Sequence, residues 1–324
     1  MVLHNDSTAK RLELAENIRS SELVVVAGTG VALYSVGHPY VPDTEVASWI
    51  GLLRHGLEYC KRNNLLAGDD AEVVELQLRK ASTRNLIDAA QQIHDWLDNK
   101  AGNSRYFWLK ESIGRLRLHN RNLIESLTRL GGLLATLNYD DLLEEGTGKP
   151  PLHWKQQGEI DQHVGRKSID YIFHIHGCWK YPETVVLDQR SYFEIATDAG
   201  MQALMQRYAR WGTFLFVGCN NTFFDPNFQT LLKWSNEALQ NAKRRHFVLC
   251  RESEEGRLQV ECQQWGILEP LAYGTDYNQL VPFLDQLARD AGRFEASVNP
   301  PVSKPKQLVS GVERPTEIWT AEQI

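Results

Sequence analysis

The segment Leu133–Glu145, LLATLNYDDLLEE, constrains the fold of this chain more than any other stretch. It begins with a short apolar run, Leu133–Thr136, which predicts a buried strand. The polar cluster Asn138–Asp141 follows, and then an apolar pair that opens a helix. In an open parallel sheet, ligands bind at the carboxyl ends of strands, so an amide and two carboxylates at this position indicate a ligand site. The alternative is that Asp140 or Asp141 caps the following helix by accepting hydrogen bonds from its free N–H groups. This segment alone leaves both interpretations open.

Other apolar runs predict further strands of the same kind. The run Leu23–Ala27 is continuous and β-branched, which is typical of a strand buried on both faces of a sheet. Helical patterns separate the runs, and this alternation predicts an α/β fold with a Rossmann-like, mostly parallel sheet. The remaining predicted strands are Tyr171–Gly177, Val185–Leu187, Thr213–Val217, His246–Cys250 and Ile267–Tyr273.

Glycines directly follow several of these runs, and two of them belong to candidate ligand-binding turns. Gly28-Thr29-Gly30 comes after the first strand, and Gly218 comes after the run that ends at Val217. Glycine lets the backbone turn tightly and approach a phosphate, and the N-terminus of the next helix can complete an anion site. The third glycine of the usual dinucleotide fingerprint is missing, so the first turn alone is a weak indication of nucleotide binding.

The segments between the strands predict the domain organisation. Residues 46–130 keep a helical pattern over a length too great for a simple crossover, so we expect a helical insertion subdomain. The preceding loop, residues 34–45, is either a lid over the glycine turn or an ordinary surface loop. We expect residues 1–296 to form one domain. Residues 297–324 are rich in Pro, Ser and Lys and should form a tail or linker.

Shorter segments complete the predicted order of elements. An amphipathic helix is expected near the start of the chain, with Leu12, Leu14 and Ile18 on one side. Residues 146–167 form a polar segment with no predicted strand. Helices are predicted at residues 7–21, 191–210, 225–234 and 280–291.

Composition and cysteine spacing exclude several classes of protein. A formal net charge of −6 does not favour non-specific nucleic-acid binding. The five cysteines are scattered and form no C-x-x-C pair, so a four-cysteine zinc module is not expected, and a reducing compartment fits better than a disulfide framework. No apolar run is long enough to span a bilayer, and no signal peptide is recognisable. We therefore expect a cytoplasmic protein that does not enter a membrane.

Two histidines stand near the end of the third predicted strand in chain order, Tyr171–Gly177. His174 and His176 are two residues apart and would share one face of a strand. A metal site is conceivable, but Gly177 should end the strand and no cluster of further ligands is apparent, so no metal is predicted. A catalytic histidine at the strand end is the better interpretation. We prefer His176, and expect His174 to matter less because it lies about 7 Å further down the strand.

Read in order, these motifs resemble the sirtuin-like superfamily over roughly residues 21–292. Each motif alone is weakly specific, but the ordered set is strong. The motifs are Ala27–Gly30, Thr136–Asp140, His176-Gly177, Gly218–Asn220 and Tyr273–Tyr277.

The resemblance is closer to the sirtuin-like domains of bacterial antiphage defence proteins, and to their human relatives, than to sirtuin deacetylases. Two departures matter: the zinc module of the deacetylases could not be built here, and Ala32 stands where the superfamily often has Ser after the glycine turn. The segments that carry the closer match are His174–Ile195, Phe214–Leu232 and Ala272–Leu280.

The resemblance implies that NAD is the substrate and that its nicotinamide–ribose bond is hydrolysed. Asn138 would position the water or the ribose, and Asp140 would hold the nicotinamide carboxamide or the ribose hydroxyls. His176 would be the general base. An oxocarbenium-like transition state gains from nearby carboxylate or amide oxygens, and an ordinary histidine is suited to accept a proton at neutral pH.

The resemblance also implies where the rest of NAD would bind. The first glycine turn would hold the phosphates, the turn after the Thr213–Val217 strand would line the adenosine ribose, and two residues near the C-terminal strand would lie by the adenine. The residues implied are, in that order, Gly28, Thr29 and Gly30; Gly218, Cys219 and Asn220; and Asp276 and Tyr277.

Three alternative functions remain open. A non-catalytic NAD-binding filament or scaffold protein would keep the fold without the chemistry. A protein deacylase is disfavoured by the missing zinc module. A dehydrogenase would need an acidic residue about 20 positions after the glycine turn, and Glu45 or Glu58 would fall in a predicted loop or helix instead of a second strand.

Partners follow from the same resemblance. An NAD hydrolase free in the cytosol would be toxic, so an NAD-depleting defence or immune effector should depend on assembly. We expect homo-oligomers or filaments, with residues 46–130 and the tail after Ala296 as contact surfaces. A sensor domain or a partner protein could supply the trigger.

Overall fold

The central layer of the protein is a seven-stranded sheet in which every described strand pair is parallel. A computed structural model describes residues 3–20, 22–36, 44–66, 70–98, 103–156, 158–159, 170–219, 245–263 and 268–293. The predicted α/β fold with a Rossmann-like sheet is confirmed. The strands are β1 Glu22–Ala27, β2 Leu133–Thr136, β3 Pro151–His153, β4 Ile172–His174, β5 Gly212–Val217, β6 His246–Arg251 and β7 Leu268–Gly274.

The strand order, β3-β4-β2-β1-β5-β6-β7, places the site. The chain runs from β1 to one side of the sheet through β2, and later returns to pair β5 with the other edge of β1. The connections therefore diverge at β1. A crevice opens at the carboxyl ends of the strands where such divergence occurs, and it is where open α/β sheets bind ligands.

Both faces of the sheet are covered, which explains the continuous apolar run of β1. Val24 and Val26 point into one hydrophobic cluster, and Leu23, Val25 and Ala27 point into the other. Successive side chains of a strand alternate between faces, so a strand buried on both sides must be apolar throughout.

Helices pack on both faces of the sheet. They are α1 Leu3–Ser20, α2 Thr29–Ser35, α3 Trp49–Arg62, α4 Asp70–Lys80, α5 Thr83–Asp98, α6 Ser104–Glu111, α7 Asn122–Leu130, α8 Leu142–Thr147, α9 Gln189–Thr197, α10 Ala199–Trp211, α11 Glu252–Gln263 and α12 Leu280–Asp290. On one face α12 contacts both α1 and α7, and all three helices share a hydrophobic cluster with the sheet. On the other face lie α10 and α11.

Helices α3 to α6, within the expected insertion, have a hydrophobic cluster of their own. Leu53, Ile93 and Trp108 are buried in it. The cluster reaches the main fold through Ala32 on α2 and Leu142 on α8. Helix α7 differs, because its buried leucines belong to the cluster under the sheet. Part of the 46–130 segment therefore packs as sheet-covering structure.

Two strand predictions were wrong. Residues 146–167 contain the short edge strand β3, whose three residues pair with β4. Val185–Leu187 forms no strand: Val185 and Leu187 pack into the cluster of α3–α6, whereas Val186 packs into the cluster on the face of the sheet that α10 and α11 cover. The run is apolar because it is buried between two clusters.

Three helical predictions need correction or fall outside the description. Leu12 on α1 is 53% exposed, whereas Leu14 and Ile18 are buried. The helix predicted at 191–210 is two helices, because Asp198 ends α9 and caps α10 through the Met201 amide. The helix predicted at 225–234, most of the 34–45 loop and the tail at 297–324 lie outside the described residues.

The described residues lie within one compact unit, which spans residues 1–294. No helix in the described ranges combines the length and the apolar character needed to cross a membrane.

Candidate active site

A cavity of about 1110 Å³ lies at the carboxyl ends of the strands, where the connections diverge from β1. Residues that follow β1, β2, β4, β5 and β6 all line it. These residues are Thr29, Gly30, Asn138, Asp140, His176, Gly218 and Glu254. The structure thus brings residues that are far apart in the sequence to one concave surface.

Close packing of three glycines forms the floor of the cavity. The Gly28 amide donates to the Val217 carbonyl and the Gly30 amide donates to the Gly218 carbonyl, both at 2.9 Å. Gly218 has φ +70°, and a Cβ there would lie 2.7 Å from the Val31 nitrogen. Only glycine fits this crossing without strain. The Gly28 and Gly30 amides are engaged with the β5 end, and glycine has no side chain, so the hydroxyl of Thr29 is the side-chain donor that this turn can offer to a ligand.

Asn138 joins the end of β2 to the end of β1. Its backbone amide donates to the Thr136 hydroxyl, and its side-chain nitrogen donates to the Gly28 carbonyl, both at 3.0 Å. A carbonyl can only accept, so the Asn138 amide must present its nitrogen there, which leaves its oxygen as an acceptor at the cavity wall.

Asp140 satisfies the first amide of a helix and also lines the cavity, so a structural role and a ligand-site role for this residue are compatible. One carboxylate oxygen accepts from the Leu142 amide at 3.1 Å, at the start of α8. The side chain is almost fully buried, and burial raises the pKa of Asp140 to about 7 although the Leu142 hydrogen bond opposes the shift. Asp141 does not line this cavity and pairs with Lys180 at 2.7 Å.

The two histidines have different surroundings. β4 ends at His174, so His176 lies in the turn that follows, where it lines the cavity with 2% of its surface exposed. Its ring meets the Tyr192 ring edge-on, with centroids 5.9 Å apart. The next residue, Gly177, has φ +80° and its Cβ would collide with the Thr184 carbonyl at 2.1 Å, so this turn also requires glycine.

His174 is not among the residues that line the cavity, and it is fully buried. Its Nε2 lies 2.5 Å from Glu144 Oε1, and its Nδ1 lies 3.3 Å from the Asn138 carbonyl and 3.2 Å from the Gly177 carbonyl. Burial lowers the pKa of His174, but the hydrogen bond and charge of Glu144, together with the charge of Asp140, outweigh it and raise the pKa overall.

The residues expected at the adenosine end are placed less uniformly. Tyr277 lines the cavity. Cys219 lies behind the floor, fully buried, with its sulfur 3.5 Å from the Val26 carbonyl, and burial raises the pKa of its thiol. Asp276 caps the short 3-10 helix that follows β7 by accepting from the Asn278 amide at 2.8 Å. Asn220 lies outside the described residues.

Two charged residues at this end were missed by the sequence analysis. Arg251, the last residue of β6, forms an ion pair with Glu254 on α11 with contacts of 3.0 and 3.2 Å, and both residues line the cavity. The Arg251 guanidinium also lies 4.5 Å from the centre of the Tyr277 ring. The signal was available, since charged residues follow the β6 run just as polar residues follow the β2 run.

The cysteines and the acidic groups give no sign of a metal centre. Among the residues that the structure describes, no group of three or more His, Cys, Asp or Glu side chains is placed to hold a metal ion. All five cysteines are free and buried at separate positions.

The parallel sheet and the cavity at its point of divergence define a Rossmann-like protein of the ligand-binding α/β class. Within it, residues 132–268 match the family model described as a SIR2-like domain. The match begins at β2, ends at the first residue of β7, and includes Asn138, His176 and Gly218. The chain therefore contains a sirtuin-like domain, a class of domain whose function depends on NAD.

Proposed function

We propose that this protein is an NAD glycohydrolase, which cleaves NAD to nicotinamide and ADP-ribose. The observation that carries the proposal is that Asn138, Asp140 and His176 line one cavity at the point where the sheet connections diverge, within a chain that contains a SIR2-like domain. An amide oxygen and a carboxylate can stabilise the charge that develops when a glycosidic bond breaks, and an imidazole can accept the proton of the attacking water.

In this proposal NAD lies along the strand ends. Its nicotinamide ribose is placed against Asn138, Asp140 and His176, and its phosphates are placed over Thr29 and Gly30. The adenosine extends past Gly218 toward Arg251, Glu254, Tyr277 and the β7 end. The cavity of about 1110 Å³ is large enough for a dinucleotide, since ligand pockets are commonly about 300–1,000 Å³.

The chemistry assigned to each group is as follows. The C1′–N bond breaks with its electron pair passing to the pyridinium nitrogen, so nicotinamide leaves neutral and positive charge develops on the ribose. The oxygens of Asn138 and Asp140 stabilise that charge. His176 takes a proton from water as the water oxygen bonds to C1′, and the proton is later released to solvent.

The test is incubation of the full chain with NAD, with and without an acetylated peptide, followed by chromatography. We expect nicotinamide and ADP-ribose in a one-to-one ratio, and the same rate with and without peptide. Asn138→Ala should abolish turnover while NAD still binds by calorimetry, because loss of transition-state contacts lowers kcat without an equal loss of ground-state binding.

Each of the other outcomes would indicate a different function for this protein. NAD binding without any nicotinamide release would favour the non-catalytic scaffold. Release that requires the peptide, with an acylated ADP-ribose product, would favour the deacylase. Cyclised or base-exchanged products would show that the nicotinamide–ribose bond is cleaved but that a group other than water bonds to C1′.

We further propose that the enzyme depletes NAD in antiphage or immune defence and that assembly or a partner activates it. The resemblance supports this role, and the exposed apolar pair Val73 and Leu76 on α4, each 48% exposed, supports a contact surface on the insertion. Specific activity should rise with protein concentration. A constant specific activity over a wide dilution range, with a monomeric mass by light scattering, would contradict this proposal.

A further inference from the structure

The Glu144–His174 pair is the most deeply buried ionisable contact in the described part of the chain that the proposed chemistry does not use. The His174 side chain has no exposed surface, and that of Glu144 is 10% exposed. The second Glu144 oxygen is buried without a hydrogen-bond partner among the described residues. Burying two ionisable groups is costly, and such pairs are retained where they fix a structure.

The contacts of His174 determine which of its nitrogens carry protons. Nδ1 faces two backbone carbonyls, those of Asn138 and Gly177, at 3.3 and 3.2 Å. Carbonyls can only accept, so Nδ1 must carry a proton. Nε2 faces the Glu144 carboxylate at 2.5 Å, so a second proton lies between these two groups.

The two carbonyls belong to the two loops that carry the candidate catalytic side chains. Asn138 is itself one of them, and Gly177 follows His176 directly in the turn after β4. We propose that His174 is a positioning residue, which ties the Asn138 carbonyl to the Gly177 carbonyl through its protonated Nδ1. Glu144 holds the ring in the orientation that makes this possible.

Other charged groups surround the pair. Asp140 and Asp141 lie on the loop between β2 and α8, His153 is the Cα partner of His174 on β3, and Lys180 follows on the far side through its pair with Asp141. Asp140 is the one among these that adds to the positive charge favoured on His174. Nδ1 carries its proton both in the charged ring and in the neutral tautomer that two carbonyl acceptors select, so the tie does not depend on the charge of His174.

Two substitutions separate the two nitrogens of the ring. His174→Asn places an amide nitrogen near the Nδ1 position and keeps a donor for the carbonyls, whereas His174→Gln places one near Nε2 and keeps only the contact with Glu144. We expect His174→Gln to lower kcat on the order of a hundredfold with KM for NAD changed only a few-fold, since small misplacement of catalytic groups has effects of this size. His174→Asn should retain clearly more turnover. Glu144→Gln, which can still hold the ring, should stay within a few-fold of the unaltered protein.

The matched controls are His153→Asn and His153→Gln. His153 is also a buried histidine, it occupies the same register on the neighbouring strand, and it does not line the cavity. We expect neither control to change kcat. Equal losses in His174→Asn and His174→Gln, or equal losses at His153, would overturn the positioning role and leave His174 as packing alone.

The kinetic comparison of the His174 and His153 variants rests on the proposed function. A second measurement does not depend on turnover. Long-range ¹H–¹⁵N correlation spectra of the labelled protein should show a proton on Nδ1 of His174 throughout the pH range in which the protein is folded. Titration of His174 near the ordinary histidine pKa, to a form with bare Nδ1, would overturn the inference. If the protein proves not to cleave NAD, the spectra and the melting temperatures of the variants still decide the role of His174.

Discussion

The two ends of the cavity are built in different ways. One end, hereafter the catalytic end, holds the proposed catalytic residues Asn138, Asp140 and His176, whose side chains are buried or partly buried. Asn138 donates to the Gly28 carbonyl after β1, and Asp140 accepts from the Leu142 amide at the start of α8. At the outer end, defined by Arg251, Glu254 and Tyr277, two of the side chains bond to each other and Tyr277 is 56% exposed.

We infer from this difference that the two ends have different roles, one in turnover and the other in substrate affinity. Groups held by backbone hydrogen bonds in a buried site are fixed before a substrate arrives, which is what stabilisation of a transition state requires. Exposed side chains that pair with each other can rearrange around a ligand and mainly affect its affinity. Substitutions at the catalytic end should therefore lower kcat, and substitutions at the outer end should raise KM.

The largest effect is expected for His176→Ala. Removal of a general base typically costs about a hundredfold to ten-thousandfold in rate, and kcat for nicotinamide release should fall within this range while the melting temperature changes little. The measurement is steady-state nicotinamide release. His153→Ala, which removes a buried histidine outside the cavity, is the control. Equal kinetic losses in both variants would remove the distinction between a base and a packing residue.

The next effect concerns the glycine floor between the two ends. Gly218→Ala should lower the free energy of unfolding by about 2–5 kcal/mol, the sum of roughly 1–2 kcal/mol for positive φ and roughly 1–3 kcal/mol for the collision with the Val31 nitrogen. Gly148→Ala is matched, with φ +73° and nothing within 4 Å of its Cβ, and should lose only about 1–2 kcal/mol. Denaturant unfolding measures both, and equal losses would mean that the crossing of the β1 and β5 turns is not tight.

A pH-dependent effect should distinguish Asp140 from its neighbour. Burial raises the pKa of Asp140 to about 7, far above the value of about 3.9 expected in the unfolded chain. Between these values the folded state keeps a proton that the unfolded state has lost, so this group makes stability fall as pH rises from about 4 to about 7. Asp140→Asn keeps an acceptor for the Leu142 amide and should remove this fall, worth up to a few kcal/mol at about 1.4 kcal/mol for each pKa unit.

The test is to measure the free energy of unfolding between about pH 4 and about pH 7 for the unaltered protein, for Asp140→Asn and for the control Asp141→Asn. Asp141 is adjacent, partly exposed and paired with Lys180, so its variant should keep the pH dependence of the unaltered protein. The Asp140 assignment fails if Asp140→Asn retains the same slope. Because Asp140→Asn also removes a carboxylate from the catalytic end, its kcat should fall at every pH.

The sequence predicted the positions of Asn138, Asp140 and His176 better than those of the residues at the outer end, for a physical reason. Asn138 and Asp140 interrupt an apolar run, and polar residues at the end of a buried strand have few structural explanations. Their convergence with His176 follows from the parallel sheet, because carboxyl ends of parallel strands meet at one edge. The local sequence pattern could not show that the His174 ring contacts Glu144, since that contact joins residues 30 positions apart.

Strand pairing was also beyond what periodicity can decide. Val185–Leu187 has the composition of a strand but is buried between two clusters, whereas Pro151–His153 pairs with β4 despite a polar setting. Apolar runs report burial, and only the partner strand decides pairing. At the outer end, Asp276 caps the 3-10 helix after β7, and its expected position near the adenine stays a prediction.

The smallest effect should come from Arg251→Ala at the outer end. Its ion pair with Glu254 is partly exposed, and exposed pairs contribute about 0–1 kcal/mol to stability, so the melting temperature should barely change. Loss of the cation beside Tyr277 should raise KM for NAD several-fold with kcat unchanged. Added salt should reduce the difference in KM between the variant and the unaltered protein, because exposed charges are screened. Arg257→Ala is the matched control: it breaks a similar exposed pair, with Glu261 on the same helix, outside the cavity. Kinetics at low and high salt measure both variants. A fall in kcat in Arg251→Ala would show that the outer end takes part in the chemistry and would end the division of work between the two ends of the cavity.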